Sequence, residues 1–198
     1  MTMKIIGVTG PSGSGKTILT EYFAERGITT VDADKLYHSM LIPPSRCLDE
    51  IFKAFGSGVF NPDGSLDRAA LSGVVFSDPE KLRLLNSTVL RLVLDEIRVI
   101  LARLKENGEK AVIIDAPTLI ESGFDKECDV VISVISDRER RIARISERDS
   151  ISVQKARERV LAQKDDEFYR AHSHHVIYND GTRQEFIDSL TSLQYLFD

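Results

Sequence analysis

A glycine-rich segment near the beginning of the chain has the residue types and the spacing of a phosphate-binding loop. Residues 10–17 read Gly-Pro-Ser-Gly-Ser-Gly-Lys-Thr and fit the pattern G-x-x-x-x-G-K-[S/T]. The glycines let successive backbone N–H groups turn to one side, where the start of the following helix adds partial positive charge. A tight turn with a structural role alone would need neither Lys16 nor Thr17, so the segment predicts a nucleoside triphosphate site. The predicted phosphate-binding residues are Pro11, Ser12, Gly13, Ser14, Gly15, Lys16 and Thr17.

Thr17 is also the predicted magnesium ligand. Its hydroxyl would bind Mg²⁺, which bridges the outer phosphates and offsets charge during phosphoryl transfer. Asp115 is a second candidate near the metal, because it ends the apolar run 112–114 as the acid of a Walker B strand does. The alternative role of Asp115 is to hydrogen-bond the turn that follows at Ala116 and Pro117.

Two carboxylates, Asp32 and Asp34, follow the second candidate strand. Open α/β folds bind their ligands at the carboxyl ends of strands. There, one acid could accept a hydrogen bond from an attacking hydroxyl, while the other orients metal-bound water or the sugar of the acceptor. Either acid could instead N-cap the helix predicted over residues 35–41. The pair favours a kinase with a hydroxyl acceptor. A GTPase is disfavoured, because the nearest match to a guanine-binding N/T-K-x-D segment, at residues 163–166, lacks the first residue.

Arginines are concentrated in one predicted helix near residue 140. Arg141, Arg144 and Arg148 recur at i, i+3 and i+7 and therefore share a face. Such a face predicts a mobile lid that brings guanidinium groups onto the transferring phosphate and excludes water. The alternative is a solvated helix whose arginines pair with Glu139 and Glu147.

The elements that must position these residues alternate between strands and helices. Apolar runs rich in β-branched residues predict the strands of a parallel sheet. The candidate strands are residues 4–8, 29–31, 111–114, 130–135 and 176–178. A helix is predicted over residues 18–26, and matches to the capping box predict helices that begin at Ser136 and Thr182. Residues 43–107 show no convincing strand and carry a long helical pattern over 82–104, which predicts a mostly helical insertion.

Composition excludes several classes of protein. The net charge of -5 argues against a general nucleic-acid binder, because such proteins normally present a basic face. No apolar run approaches the roughly 20 residues that span a bilayer, and the chain begins with a strand instead of a secretion signal, so we expect a cytoplasmic protein. Cys47 and Cys128 are expected to be free thiols, since their spacing does not suit a metal site. Zinc binding by His172, His174 and His175 is disfavoured, because no cysteine accompanies them and neighbours on a strand point to opposite faces.

With these residues in place, the chain resembles the dephospho-coenzyme A kinases over nearly its whole length. The matching segments are the glycine loop, Leu71 and residues 31–34, 55–56, 63–68, 75–76, 117–123, 144–149, 162–163 and 176–181. The acidic segments Val-Asp-Ala-Asp at 31–34 and Asp-Gly-Ser-Leu-Asp-Arg at 63–68 are more specific than the loop, which many proteins share. Three segments depart from the usual family pattern. Leu90-Arg91 stands for a His-Pro pair, Arg141 stands for a glutamine, and residues 118–121 read Thr-Leu-Ile-Glu in place of Leu-Leu-Phe-Glu.

The resemblance implies a fold and a reaction. The implied fold is a single P-loop NTPase domain of the α/β class over residues 1–198, with a five-stranded parallel sheet flanked by helices. A helical acceptor subdomain would occupy about residues 43–107 and a lid about residues 137–165. The implied reaction is ATP-dependent phosphorylation of the ribose 3′-hydroxyl of dephospho-coenzyme A, giving coenzyme A and ADP. ATP and Mg²⁺ are the implied cofactors, and a monomer or weak homo-oligomer is expected.

The resemblance also implies roles for individual residues. Asp34 is the implied general base, with Asp32 beside it at the acceptor, and Arg68 would lie in or near the acceptor subdomain. Arg144 and Arg148 would contact the phosphates of ATP from the lid. The implied catalytic residues are Asp34, Lys16 and Arg144.

Two other functions stay open at this point. A related P-loop kinase would act on a nucleoside, a nucleotide or another small acceptor. A non-catalytic nucleotide-binding protein would keep the loop, would not turn over with any acceptor, and would be insensitive to Asp34→Asn.

Overall fold

The computed structural model describes residues 3–197, and the chain divides into two compact units. The first, which we call the α/β unit, comprises the residues up to Val31 and those from Leu104 onwards. The second, the helical unit, comprises Asp32–Arg103. The α/β unit is therefore discontinuous in sequence, and the helical unit is inserted into it.

A five-stranded parallel sheet forms the centre of the α/β unit, as predicted. Its strands are β1 (Lys4–Thr9), β2 (Thr29–Asp32), β3 (Ala111–Asp115), β4 (Val130–Ile135) and β5 (His175–Tyr178). The spatial order is β2-β3-β1-β4-β5, so β1 is the central strand, paired in parallel with both β3 and β4. Central strands of such a sheet are covered on both faces and read as continuous apolar runs, which is why the sequence located them to within one residue at each end.

Helices connect the strands and build the helical unit. They are α1 (Lys16–Ala24), α2 (Ala33–Met40), α3 (Arg46–Phe55), α4 (Arg68–Phe76), α5 (Pro79–Glu106), α6 (Arg138–Asp149), α7 (Val153–Leu161), α8 (Asp166–Ala171) and α9 (Arg183–Thr191). The capping box predicted for α9 is confirmed. Thr182 Oγ1 accepts from the Glu185 N–H at 3.2 Å, and Glu185 Oε2 accepts from the Thr182 N–H at 2.7 Å.

The capping box predicted at Ser136 is wrong. Helix α6 begins at Arg138, and its N-cap is Asp137, whose Oδ1 accepts from the N–H groups of Glu139 and Arg140 at 2.9 and 3.2 Å. The Ser136 hydroxyl instead donates to the main-chain oxygen of Asn179 at 2.8 Å. Because the Asp137 carboxylate occupies the N-cap position, the Ser136 hydroxyl is not needed there and bonds Asn179 instead.

The core of the α/β unit attaches α1 to the central strand. Ile6 and Val8 of β1 are fully buried and belong to one apolar cluster with Leu19 and Phe23 of α1. Phe23 also stacks on Phe197, with ring centroids 4.0 Å apart. Burying side chains of this size stabilises the fold by about 1.5–3 kcal/mol each. The glycine loop is therefore held at both ends by elements that pack on each other.

The helical unit has a core of its own. Its buried residues are Cys47, Ile51, Val59, Leu71, Val75 and Leu92. Tyr37 and Met40 of α2 and the following Leu41 pack against this cluster. The unit therefore begins at Asp32, earlier than the predicted start at residue 43. Although α5 has 28 residues, no helix within residues 3–197 is both long and apolar enough to cross a membrane.

Candidate active site

The glycine loop, residues 10–17, lies between the end of β1 and the start of α1, at the carboxyl edge of the sheet. Gly10, Gly13 and Gly15 have φ angles of 135°, 78° and 101°, a region that favours glycine. A Cβ on Gly10 would lie 2.2 Å from the carbonyl oxygen of Val134, and one on Gly15 would lie 2.1 Å from Nδ2 of Asn179. The loop glycines are therefore needed for their positive φ angles and for the close approach of Val134 and Asn179.

Two arginines of α6 bind carbonyl groups of the loop. Arg141 Nε donates to the carbonyl oxygen of Ser12 at 3.0 Å. One terminal nitrogen of Arg144 donates to the carbonyl oxygen of Gly13 at 3.1 Å. Burial is the main influence on both arginines and lowers the pKa of each guanidinium. Helix α6 therefore supports the loop instead of being a solvated helix.

Asn179, directly after β5, binds a third carbonyl. It is 2% exposed, and its Nδ2 donates to the carbonyl oxygen of the fully buried Ser14 at 2.8 Å. The main-chain oxygen of Asn179 accepts from Ser136 Oγ at 2.8 Å and from Arg144 at 3.0 Å. Hydrogen bonds therefore connect Ser136, which follows β4, and Asn179, which follows β5, with Arg144 of α6 next to the glycine loop.

These three bonds fix the directions of the peptide N–H groups that follow. In a planar trans peptide the C=O and the next N–H point in opposite directions. Holding the carbonyls of residues 12, 13 and 14 therefore turns the N–H groups of Gly13, Ser14 and Gly15 away from α6 and Asn179. Consistent with this, the Ser14 N–H donates across the loop to the Pro11 oxygen at 3.3 Å. The loop is prepared to offer several donors to one anion.

Lys16 brings the positive charge to this loop. Its Nζ donates to the Gly10 oxygen at 2.7 Å and lies 3.4 Å from the Pro11 oxygen, so the ammonium spans the loop from its last residues to its first. An ammonium beside inward-turned N–H groups at a helix N-terminus is an anion site.

Oxygen donors lie near the same edge. Thr17 is exposed in the first turn of α1. Asp115 ends β3 and is in register with Val8, two residues before the loop begins. Hydroxyl and carboxylate oxygens are ligands that Mg²⁺ accepts.

Arg148 has a different environment from the other two arginines. It is exposed and forms a two-bond ion pair with Asp149, at 2.7 and 3.0 Å. Hydrogen bonding to Asp149 is the main influence on Arg148 and raises the pKa of its guanidinium. The predicted common face is therefore divided, since Arg141 and Arg144 bind the loop and Arg148 pairs on the surface.

Gln163, between α7 and α8, is a contact that sequence reasoning missed. Its Oε1 accepts from the Ser12 N–H at 3.1 Å and from a terminal nitrogen of Arg141 at 2.7 Å. Only the match of residues 162–163 to the family pattern could have indicated this contact, because Gln163 follows the end of a helix far from the loop in the chain. The role of Asn179 was missed as well, although its place directly after a strand is a usable signal.

The acidic pair lies at the start of the helical unit. Asp32 is the N-cap of α2: its Oδ1 accepts from the Lys35 N–H at 2.9 Å, and its Oδ2 pairs with Lys35 Nζ at 3.2 Å. This is the alternative role considered for that residue. Asp34 is exposed in the first turn of α2, and Arg68 is exposed at the start of α4.

Two of the histidines form hydrogen bonds with the main chain, and both cysteines are unpaired. His174 Nδ1 accepts from the Val131 N–H at 3.0 Å, and His172 Nδ1 lies 2.7 Å from the Phe168 oxygen. Among the residues that the structure describes, no group of three or more His, Cys, Asp or Glu side chains is arranged to hold a metal ion. Cys47 and Cys128 are free thiols, as predicted.

A loop held in this way at the edge of a parallel sheet places the chain among the P-loop proteins, which bind nucleoside phosphates. The family model described as Dephospho-CoA kinase matches residues 4–185. A dephospho-CoA kinase of Symbiobacterium thermophilum is 39% identical over 161 residues, which cover 81% of this chain and 67% of the relative. One of Dehalococcoides mccartyi is 34% identical over 191 residues, 96% of both chains. The chain belongs to the dephospho-CoA kinase family.

A solved structure agrees with the fold. Dephospho-CoA kinase from Campylobacter jejuni superposes with a TM-score of 0.71 at 23% identity, covering 96% of this chain and 95% of that chain. At this identity the likeness concerns the fold alone, and it extends over both units of the chain.

Proposed function

We propose that this protein transfers the terminal phosphoryl group of ATP to the ribose 3′-hydroxyl of dephospho-coenzyme A, giving coenzyme A and ADP. Membership of the dephospho-CoA kinase family supports this acceptor and this reaction. The observation that carries the proposal is the prepared glycine loop, with three carbonyls held by side chains and Lys16 spanning it. Such an arrangement suits a polyphosphate because it offers N–H donors and positive charge together.

The phosphate-binding residues are those proposed from the sequence. Backbone N–H groups from Gly13 to Thr17 bind the phosphates, because the Ser12 N–H is already bonded to Gln163, and Lys16 offsets the charge of the outer phosphates. Ser14 Oγ is buried without a hydrogen-bond partner among the described residues, which fits a further donor to a phosphate oxygen. Thr17 and Asp115 fit Mg²⁺ because they are oxygen donors at this edge. When bound, the ion would offset charge on the phosphates during transfer.

Asp34 is the proposed general base for the acceptor hydroxyl. It is exposed at the start of α2, whereas the carboxylate of Asp32 is engaged in capping that helix and in pairing with Lys35. Asp32 therefore acts as a positioning residue, because its cap fixes the first turn that carries Asp34. Arg68 is proposed to contact the acceptor, whose diphosphate offers a partner for a guanidinium.

Arg144 and Arg148 are proposed to bind ATP phosphates within a lid over residues 137–165. Binding of phosphates by these two arginines requires changes in the contacts that they now make. Arg144 would add a phosphate oxygen to its bond with the Gly13 carbonyl, and Arg148 would leave Asp149. Both guanidinium groups would then offset charge in the transition state.

The proposal is tested by a coupled assay of ADP release with purified protein. We expect turnover with dephospho-coenzyme A, and much less with a panel of nucleosides and nucleoside monophosphates. Asp34→Asn should lower turnover at least ~100-fold and leave ATP binding unchanged, the usual scale for a lost acid–base group. Asp49→Asn is the matched control, since Asp49 is an exposed acid in the first turn of α3. Equal activity of the two variants would remove Asp34 from the mechanism.

We also propose that the protein works in the cytoplasm as a monomer or weak homo-oligomer. The two free thiols fit a reducing compartment. The net charge of -5 fits a small-molecule enzyme more than a protein that binds nucleic acid. Light scattering on purified protein would give the oligomeric state.

A further inference from the structure

Arg141 is a buried cation whose hydrogen bonds end on neutral atoms. It is 4% exposed, and its guanidinium donates to the Ser12 carbonyl oxygen at 3.0 Å and to the Gln163 side-chain oxygen at 2.7 Å. Burial lowers the pKa of this guanidinium, and the nearby Asp166 and Tyr169 only oppose that effect in part. A guanidinium has no acceptor and keeps its charge in proteins, so the charge has to be tolerated here.

Gln163 determines how that charge is held. Its oxygen binds both the Arg141 guanidinium and the Ser12 N–H, so the two side chains grip Ser12 by its N–H and its carbonyl. A carboxylate at position 163 could make the same two bonds, yet it would cancel the charge of Arg141 through an ion pair. The amide holds the geometry and bonds Arg141 without a countercharge, and the more distant Asp166 offsets only part of its charge.

An uncompensated charge in a poorly hydrated place costs free energy until an opposite charge comes near. The same low dielectric makes its attraction for a nearby anion stronger than it would be in water. The loop that Arg141 touches is the proposed site of a polyphosphate. The ligand would therefore supply the missing negative charge.

We propose that Arg141 and Gln163 are positioning residues that hold a buried and only partly compensated charge under the glycine loop, so that nucleotide affinity rises with the negative charge of the phosphate chain. The inference rests on the proposed function of residues 10–17 as the phosphate site. A glutamine at position 163 preserves the charge of Arg141, whereas a glutamate would offset it. The loop would therefore bind a nucleoside triphosphate more tightly than a monophosphate.

The test is Gln163→Glu, which keeps the shape and adds the countercharge. Unliganded thermal stability should stay equal or rise, since a charge-assisted bond replaces a neutral one. The dissociation constant for ATP should increase about 10-fold, with a smaller increase for ADP and the smallest for AMP, as measured by calorimetry without acceptor. Gln154→Glu is the matched control: it makes the same change at an exposed position of α7, and its nucleotide affinities should equal those of the wild type.

A structural role alone gives a different result. If Arg141 and Gln163 only held the fold together, Gln163→Glu would bind all three nucleotides as the wild type does, and this outcome overturns the inference. A lower unliganded melting temperature for Gln163→Glu overturns it too. Arg141→Gln is a second variant, expected to weaken ATP binding more than AMP binding, and equal weakening for all three nucleotides would overturn the inference. Failure of the wild-type protein to bind any of the three nucleotides would instead refute the proposed function.

Discussion

Replacing Asn179 by alanine tests whether side chains outside the glycine loop hold its shape. Asn179 is 2% exposed, and its Nδ2 donates at 2.8 Å to the oxygen of Ser14, a residue that is fully buried. In Asn179→Ala the one remaining partner of that oxygen within residues 3–197 is Arg144, whose nitrogen is 3.5 Å away. A buried acceptor left in this state costs about 1–3 kcal/mol. For a chain of this length, 2 kcal/mol corresponds to a fall in melting temperature of about 4–8 °C.

The same variant should impair nucleotide binding. Without Asn179 the carbonyl of Ser14 can rotate, and the N–H of Gly15 rotates with it, so one phosphate donor loses its direction. We expect a KM for ATP raised several-fold with a smaller change in kcat, measured in the coupled assay beside urea unfolding. Asn61→Ala is the control, because Asn61 is exposed and its side chain bonds the Ser65 side chain at the surface of the helical unit, far in sequence from the glycine loop. A free energy of unfolding for Asn179→Ala within about 0.5 kcal/mol of the wild type, the ordinary range of surface substitutions, would refute the reasoning.

Two further predictions concern a glycine and a thiol. Gly15→Ala should lower the free energy of unfolding by more than about 3 kcal/mol, because its Cβ would lie 2.1 Å from Asn179 and its φ is 101°. Gly27→Ala shares a positive φ, but its Cβ would meet no atom of residues 3–197 within 4 Å, so it should cost about 1–2 kcal/mol, and equal losses in urea unfolding would contradict the crowding argument. Burial raises the pKa of Cys128 from an ordinary value of 9.0 to about 12, so a disulfide reagent at pH 8 should modify it far more slowly in the native protein than in urea. Because the unfolded thiol loses its proton first, this group should lower stability as pH rises from 9.0 to about 12. Rapid labelling of the Cys128 thiol in the native protein would contradict a raised pKa for this group.

The sheet could be predicted from sequence because its strands are short, apolar and separated by helices. The stretch from Val130 to Ile135 is one case, where β-branched residues without polar interruption leave little choice of structure. The glycine loop could be predicted for a related reason, since its pattern is local and its chemistry depends on the backbone.

The supports of the loop could not be predicted, because they depend on contacts between distant residues. Nothing local distinguishes Gln163 from any glutamine after a helix, and its distance from Ser12 follows only from the folded α6–α7 pair. The spacing of Arg141 and Arg144 correctly placed them on one side of a helix, but spacing alone does not say what that side faces. The start of α6 was misplaced because Ser136 and Asp137 are both good caps, and tertiary contacts decide between them.

The discontinuity of the α/β unit has a consequence for synthesis on the ribosome. The whole glycine loop has been translated by residue 17, but the side chains that hold its carbonyls are Arg141, Arg144 and Asn179. A nascent chain therefore carries the recognisable motif for most of its elongation without the groups that give the motif its shape. Cotranslational capture of nucleotide should begin only when the last strand and the asparagine after it have emerged.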